Sequence, residues 1–172
     1  MVPIVETARL RLRSIRESDL DGHASMLADP EIVRFVGGVP VSREDTWRKL
    51  IAGQGLWAVL GFGYWAVENK ADGAYLGQLG FADFKRGMTP SIEGLPEIGW
   101  MLAPHAQGKG IATEAALGAL GWADEALAGR EIVAIIDQDN LASIRVAEKA
   151  GFAFREPGTY KDQPILVFRR RA

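Results

Sequence analysis

The sequence predicts an α+β domain, a mixed and mostly antiparallel sheet flanked by helices. Three observations carry that expectation. Arg9-Leu-Arg-Leu-Arg13 alternates strictly, the two-residue period of a strand with one buried face. Residues 64–67 and 74–81 are apolar runs parted by Lys70-Ala-Asp-Gly73, the composition of a hairpin turn. Residues 97–103 form a strand-like run that breaks into glycines and restarts as an alanine-rich helix, with Ile111, Ala115, Ala119, Leu120, Ala123 and Leu127 at helical spacing.

The remaining elements follow in order. Residues 17–28 suit a helix closed by Asp29-Pro30. Ser42 is placed to cap a second helix carrying Trp47, Leu50 and Ile51 on one face, with Gly53 and Gly55 weakening its far end. Residues 85–96 are rich in Gly and Pro without periodicity and read as a loop. Gly129 ends the alanine-rich helix, and the β-branched run at 131–136 is a buried strand. Asn140 caps a short helix that stops at Gly151. Residues 152–155 and 165–170 complete the sheet.

Composition bounds what such a domain does. With 172 residues, 48% hydrophobic and 24% charged, the chain suits one domain over residues 1–172. A net charge of -2 offers no general attraction to nucleic acid or an anionic membrane. Arg169-Arg-Arg171 reads as a solvated end. With no Cys, disulfides, thiolate catalysis and cysteine metal sites are excluded, and no metal is expected. No signal peptide or membrane span is legible, so the expected compartment is the cytoplasm.

The chemistry concentrates at Pro104-His-Ala-Gln-Gly-Lys-Gly-Ile-Ala-Thr-Glu114. The first N–H groups of a helix lack intrahelical acceptors and sit at the positive end of its dipole, so they attract phosphate. Gly108 and Gly110 let the chain turn tightly and a ligand approach the backbone. Lys109 adds charge. Two nucleotide motifs fail here. A Walker loop needs Gly where Ala103 stands and a hydroxyl where Gly110 stands, and the dinucleotide fingerprint meets Thr113 at its third small position. Gly53-Gln-Gly-Leu-Trp-Ala58 and Gly61-Phe-Gly-Tyr-Trp-Ala66 match the fingerprint by letter, but the first lies in a helix and the second opens a strand.

Gln107-x-x-Gly110-x-Ala112, between a strand and a helix, resembles the acyl-coenzyme A loop of the GNAT superfamily of N-acetyltransferases. Asp137-Gln-Asp-Asn-Leu-Ala-Ser-Ile-Arg-Val-Ala-Glu-Lys-Ala-Gly-Phe152 resembles that superfamily's second signature. Glu6-Thr-Ala-Arg-Leu-Arg-Leu-Arg13 with Glu17-Ser-Asp-Leu20 is similar to the start of its RimJ/RimL branch, which acetylates protein N-termini, including those of ribosomal proteins, and has relatives acting on small amines. The resemblance implies acetyl-CoA as cosubstrate and a GNAT-like fold.

It also implies roles for particular residues. The backbone of Gly108, Lys109, Gly110, Ile111, Ala112 and Thr113, with Gln107, would hold the pyrophosphate. Trp100, Met101 and Leu102 would run beside the pantetheine arm, bonding it through backbone as an added strand would, and a backbone N–H near Met101 would polarise the carbonyl. Asn140 caps its helix and in resembling enzymes reaches the pantetheine or a water. The helix position where many relatives carry a Tyr proton donor is Ala147. Ser143 resembles the Ser that RimL-type enzymes offer near the sulfur; its alternative is a helix-start hydroxyl bonded to backbone. Glu97 could act as general base, directly or through water, or be an ordinary exposed carboxylate. Asp83, His105 and Tyr64 are weaker candidates for the base that read first as structural or solvated; Trp57, Trp65 and Trp100 read as core, with Trp100 close enough to the loop to line the substrate as well.

The acceptor is an amine, either a peptide N-terminus or a small molecule, with residues 33–57 and 85–96 expected to form its site. A non-catalytic acyl-CoA-binding module is the alternative from another class. Oligomeric state stays open, dimers being common among resembling enzymes.

Overall fold

The structure, a computed structural model, describes residues 1–171. In chain order it contains β1 (Val5–Glu6), β2 (Leu10–Arg13), α1 (Leu20–Ala28), α2 (Pro30–Val33), α3 (Arg43–Leu60), β3 (Tyr64–Asn69), β4 (Tyr75–Ala82) and β5 (Met88–Thr89). There follow β6 (Glu97–Leu102), α4 (Ile111–Ala126), β7 (Glu131–Asp137), α5 (Leu141–Lys149), β8 (Phe154–Tyr160) and β9 (Gln163–Arg171). The strands form one sheet in the order β1-β2-β3-β4-β6-β7-β9-β8-β5. Its pairings are antiparallel except β6 with β7, so the α+β expectation is met.

Both faces are covered, and the period of two decides what each carries. Leu10, Leu12, Trp65, Val67, Leu79, Phe81, Ile98 and Leu102 form one buried cluster with α4 and α5. Ala115, Ala116, Ala119 and Ala123 are all fully buried, a small-residue stripe that lets α4 lie close to the strands. Trp57, Trp65 and Trp122 meet edge to face at one end, with ring centroids 4.7 to 5.5 Å apart. On the opposite face Met101 and Ala103 pack with Met26, Leu27 and Val33 of α1 and α2.

Four features differ from the sequence expectation, the first being β5, a two-residue strand paired with β8 inside the segment 85–96 expected to be a loop. α3 runs through Gly53 and Gly55 and stops at Gly61, whose φ is 78° and whose N–H bonds the Trp57 carbonyl. Two interior glycines cost about 1 kcal/mol each. Buried Leu50 and the Trp57 indole, which donates to the Tyr64 carbonyl at 3.0 Å, offset that cost. Ile51 points to solvent instead of the shared face. Pro30 does not end helical structure but opens α2, with Asp29 as its cap. β8 and β9 extend to a two-residue turn at Lys161 and Asp162, both at positive φ. Such turns favour Asn-Gly or Asp-Gly, so Lys-Asp gave no hairpin signal.

A polar cluster lies between α1 and the sheet. His23 is 1% exposed and its Nδ1 lies 2.8 Å from the Tyr75 hydroxyl. Burial pushes its pKa down to about 4, against the opposing pull of Asp19. The folded state thus holds His23 neutral while the unfolded chain takes a proton below about 6.5. Stability contributed by neutral His23 is present above that pH and lost as pH falls from about 6.5 towards 4. We expect the native protein to lose about 2 kcal/mol more than His23→Gln between pH 7 and 5 in chemical denaturation. Equal losses would refute the assignment.

Candidate active site

The site is built where β6 and β7 part. They are parallel but pair in register only at Glu97 with Val133. The Ala103 N–H donates to the Leu76 carbonyl at 2.9 Å, so ladder alternation turns the backbone groups of Met101 towards β4 and those of Trp100 and Leu102 towards the split. The Leu102 carbonyl is taken by the Gln107 amide at 3.0 Å. Among the described residues the Trp100 backbone and the Leu102 N–H, on either side of Met101, are left as a free strand edge.

The loop after β6 has the geometry of an anion cradle. Gly108 and Gly110 take φ of 70° and 72°, the left-handed region that favours glycine. Gly110 is the N-cap of α4 and no side chain caps that end, so the N–H groups of Ile111, Ala112 and Thr113 have no helical acceptor. A Cβ at Gly108 would meet nothing within 4 Å; the backbone there is open to a ligand. Lys109 is exposed, whereas Ile111 is buried under the sheet and anchors the helix start. These residues fit a diphosphate.

The loop is held from outside by residues that sequence reasoning missed. Glu114, in the first turn of α4, accepts from Thr7 Oγ1, the Arg9 N–H and Arg9 Nε at 2.6, 2.8 and 2.6 Å. Arg9 also donates to the Lys109 carbonyl at 3.0 Å. In the alternating strand Arg9 reads only as a solvent-facing charge, so its role carries no local signal. A cavity of about 660 Å³ beside the loop is lined by Arg9, Lys70, His105 and Lys109 among others.

Across the split stands α5. The Asn140 side chain accepts from the Ser143 N–H at 3.1 Å, the cap its sequence position predicts. The Trp100 indole donates to Ser143 Oγ at 3.2 Å, which ties β6 to α5 and leaves the hydroxyl proton free to point elsewhere. Ala147 is fully buried in the core.

Glu97 lies on the opposite face, 5% exposed. It is therefore no ordinary surface carboxylate. Arg86 grips both its oxygens at 2.7 and 2.9 Å and donates to the Tyr160 hydroxyl at 3.0 Å. The guanidinium sits between the Phe84 and Tyr160 rings, 4.7 and 4.9 Å from their centroids. Arg86 comes from the aperiodic segment 85–96 and no sequence pattern pointed to it. Asp83 is bound by Lys85; His105 is exposed beside the loop.

The chain and its fold have relatives among known proteins. The Bacillus subtilis protein YkkB is 31% identical over 169 residues, covering 96% of this chain and 94% of YkkB. A solved acetyltransferase from Agrobacterium tumefaciens superposes with a TM-score of 0.85 at 28% identity, covering 100% of this chain and 96% of that one. RimL, a ribosomal-protein α-N-acetyltransferase in complex with coenzyme A, shares the fold with a TM-score of 0.79 at 18% identity over 98% of both chains. The family model described as the acetyltransferase (GNAT) domain matches residues 9–153. With its fold, its loop and that match in agreement, the chain belongs to the GNAT acetyltransferases, enzymes that take their acetyl group from acetyl-CoA.

Proposed function

We propose that the enzyme transfers acetyl directly from acetyl-CoA to a primary amine, a protein N-terminus or a small-molecule amine, in the manner of the RimJ/RimL branch. The observation that carries this reading is the free β6 edge at Trp100 and Leu102 running into the uncapped N-terminus of α4. The amides of Gly108 to Thr113, with Lys109, bind the pyrophosphate. The β6 edge takes the pantetheine arm as an added strand and puts the Trp100 or Leu102 N–H against the thioester oxygen, where negative charge develops.

Asn140 keeps α5 in place at the far wall. Ser143, oriented by Trp100, offers its proton to the departing sulfur. Glu97 lies on the face of α1 to α3, where the amine enters, and its carboxylate takes an ammonium proton through water while Arg86 fixes its direction. The paired Glu97 suits relay better than direct abstraction, because both of its oxygens already accept strong bonds. Segments 33–57 and 85–96 border this face.

Purified protein incubated with acetyl-CoA and panels of N-terminal peptides and small amines should release free CoA with at least one acceptor. Saturable acetyl-CoA binding with no turnover on any amine would sink the amine-transfer reading. Ser143→Ala should lower kcat by roughly 10- to 100-fold if that hydroxyl protonates the thiolate. Full activity removes Ser143 from the mechanism, and the same outcome in Glu97→Gln removes Glu97.

A further inference from the structure

Three residues in one row across the sheet point to a further participant. Tyr64 of β3 pairs with Gly80 of β4, and Gly80 pairs with Gly99 of β6. Residues in register on neighbouring strands present the same face. Here that is the face of Glu97 and Met101, opposite α4, because the alternate residues Trp65, Leu79, Ile98 and Leu102 pack on α4. Gly80 lets the Gly63–Tyr64 backbone approach β4 closely, and Gly99 leaves room at the central strand for the phenol. Its hydroxyl lies 2.6 Å from where a Cβ of Gly99 would stand. A side chain at 99 would have to displace the hydroxyl.

The hydroxyl therefore arrives at β6, the strand that borders the split, two residues along from Glu97. The Tyr64 backbone carbonyl is held by Gln54 and Trp57 at 3.2 and 3.0 Å, while the hydroxyl itself bonds no described residue. The phenol is partly buried and fixed by its backbone, while its unpartnered hydroxyl oxygen is reached from solvent and is therefore open to a ligand. Burial, with the negative charge of Glu97 adding to it, pushes the Tyr64 pKa up. The group stays a neutral hydroxyl and serves as a hydrogen-bonding post, not a base.

We propose that Tyr64 is a catalytic residue of the transfer, its hydroxyl oxygen accepting one N–H of the acceptor amine so that the nitrogen lone pair faces the thioester carbon on the β6 edge. The role rests on the amine-transfer reading above. The lone pair forms the C–N bond, and the C–S bonding pair leaves on sulfur. The surplus nitrogen proton passes through water to Glu97 and on to bulk solvent; the thiolate takes a proton from Ser143, which water reprotonates, or from water directly, so an amide and the free thiol result and Tyr64 is unchanged.

The test uses the full chain, acetyl-CoA and two amine probes, hydroxylamine and 2-phenylethylamine, with thiol release measured above the uncatalysed rate. Tyr64→Phe, which removes only the hydroxyl, should lower kcat/KM for the amine about tenfold or more. Its acetyl-CoA Kd and thermal midpoint should match the native protein. Gly99→Ala should show a similar loss, because the new methyl displaces the hydroxyl. The double variant should be no worse than Tyr64→Phe, since the collision is with the missing oxygen; the ring carbon next to it is 3.7 Å away.

A Tyr64→Phe rate within twofold of native overturns the role and leaves amine transfer standing. So does an equal loss of acetyl-CoA affinity, which would make Tyr64 a wall of the donor site, or a double variant far worse than Tyr64→Phe, which would make the row a packing device. A native protein that binds acetyl-CoA and accelerates neither probe overturns the role as stated for small amines, and only failure across the peptide and amine panels sinks the transfer reading with it.

Discussion

Arg13→Met should destabilise the protein by about 3–5 kcal/mol, the range for breaking a buried ion pair and stranding its partners. Arg13 is 4% exposed, Asp19 2% and Glu68 5%. The guanidinium binds both Asp19 oxygens at 2.7 and 2.8 Å, donates to the Ser14 carbonyl at 3.0 Å, and turns its Nε to Glu68. Its own pKa is raised, chiefly by the bonds to Asp19. Methionine fills the space but leaves two carboxylates in a low-dielectric site, with Arg11 at 3.3 Å and Arg16 at 3.6 Å still near Glu68. For a chain of this length the thermal midpoint should fall by about 10 °C. Arg13→Met/Glu68→Leu should recover part of the loss, because one stranded charge is gone. A single variant within 1 kcal/mol of native would mean that the remaining arginines or water replace the guanidinium. Activity should fall with stability, since this cluster fastens α1 to β2 and β3, and α1 carries the Met26 and Leu27 that back Met101.

That cluster also shows where a sequence stops being legible. The strand, glycine loop and α4 were readable because their signals are local: a period, two glycines, an alanine stripe. The same holds for Asn140 and Ser143, a cap and its target three residues apart. The side chains that orient the site are paired over long separations. Arg9 meets Glu114 across 105 positions, Trp100 meets Ser143 across 43, and Arg13 meets Glu68 across 55. In the sequence each arginine of Arg9-Leu-Arg-Leu-Arg13 looks alike, an outward charge on an alternating strand. The fold gives them different tasks: Arg9 holds the loop, Arg11 faces solvent beside Glu6, and Arg13 is buried under α1. Glu97 was legible as a carboxylate at the right end of β6, but not its grip by Arg86. Tyr64 is legible only as a weak candidate for the base, because its approach to Gly99 exists only once β3, β4 and β6 are in register.

Gly110→Val should abolish useful acetyl-CoA binding, raising Kd about 100-fold or more. Two costs combine. At a φ of 72° a β-branched residue strains the backbone by about 1–2 kcal/mol or more, and the chain can relieve that only by rotating the N–H groups that open α4 out of their convergent arrangement. The Cβ would also stand 3.6 Å from the Arg9 guanidinium; that is ordinary contact for one methyl, but the further methyls of valine press on the group that holds the Lys109 carbonyl. Gly108→Ala, at a similar φ but with open space around it, meets only the backbone cost and should bind several-fold more weakly than native. The ordering native, Gly108→Ala, Gly110→Val separates strain from displacement of the cradle. It can be read without turnover: acetyl-CoA at 100 times the native Kd should stabilise the native protein by about 2.7 kcal/mol and leave Gly110→Val almost unmoved. If Gly110→Val keeps the full ligand-induced stabilisation, the diphosphate is not held at this helix start, and the β6 edge alone would have to carry the donor.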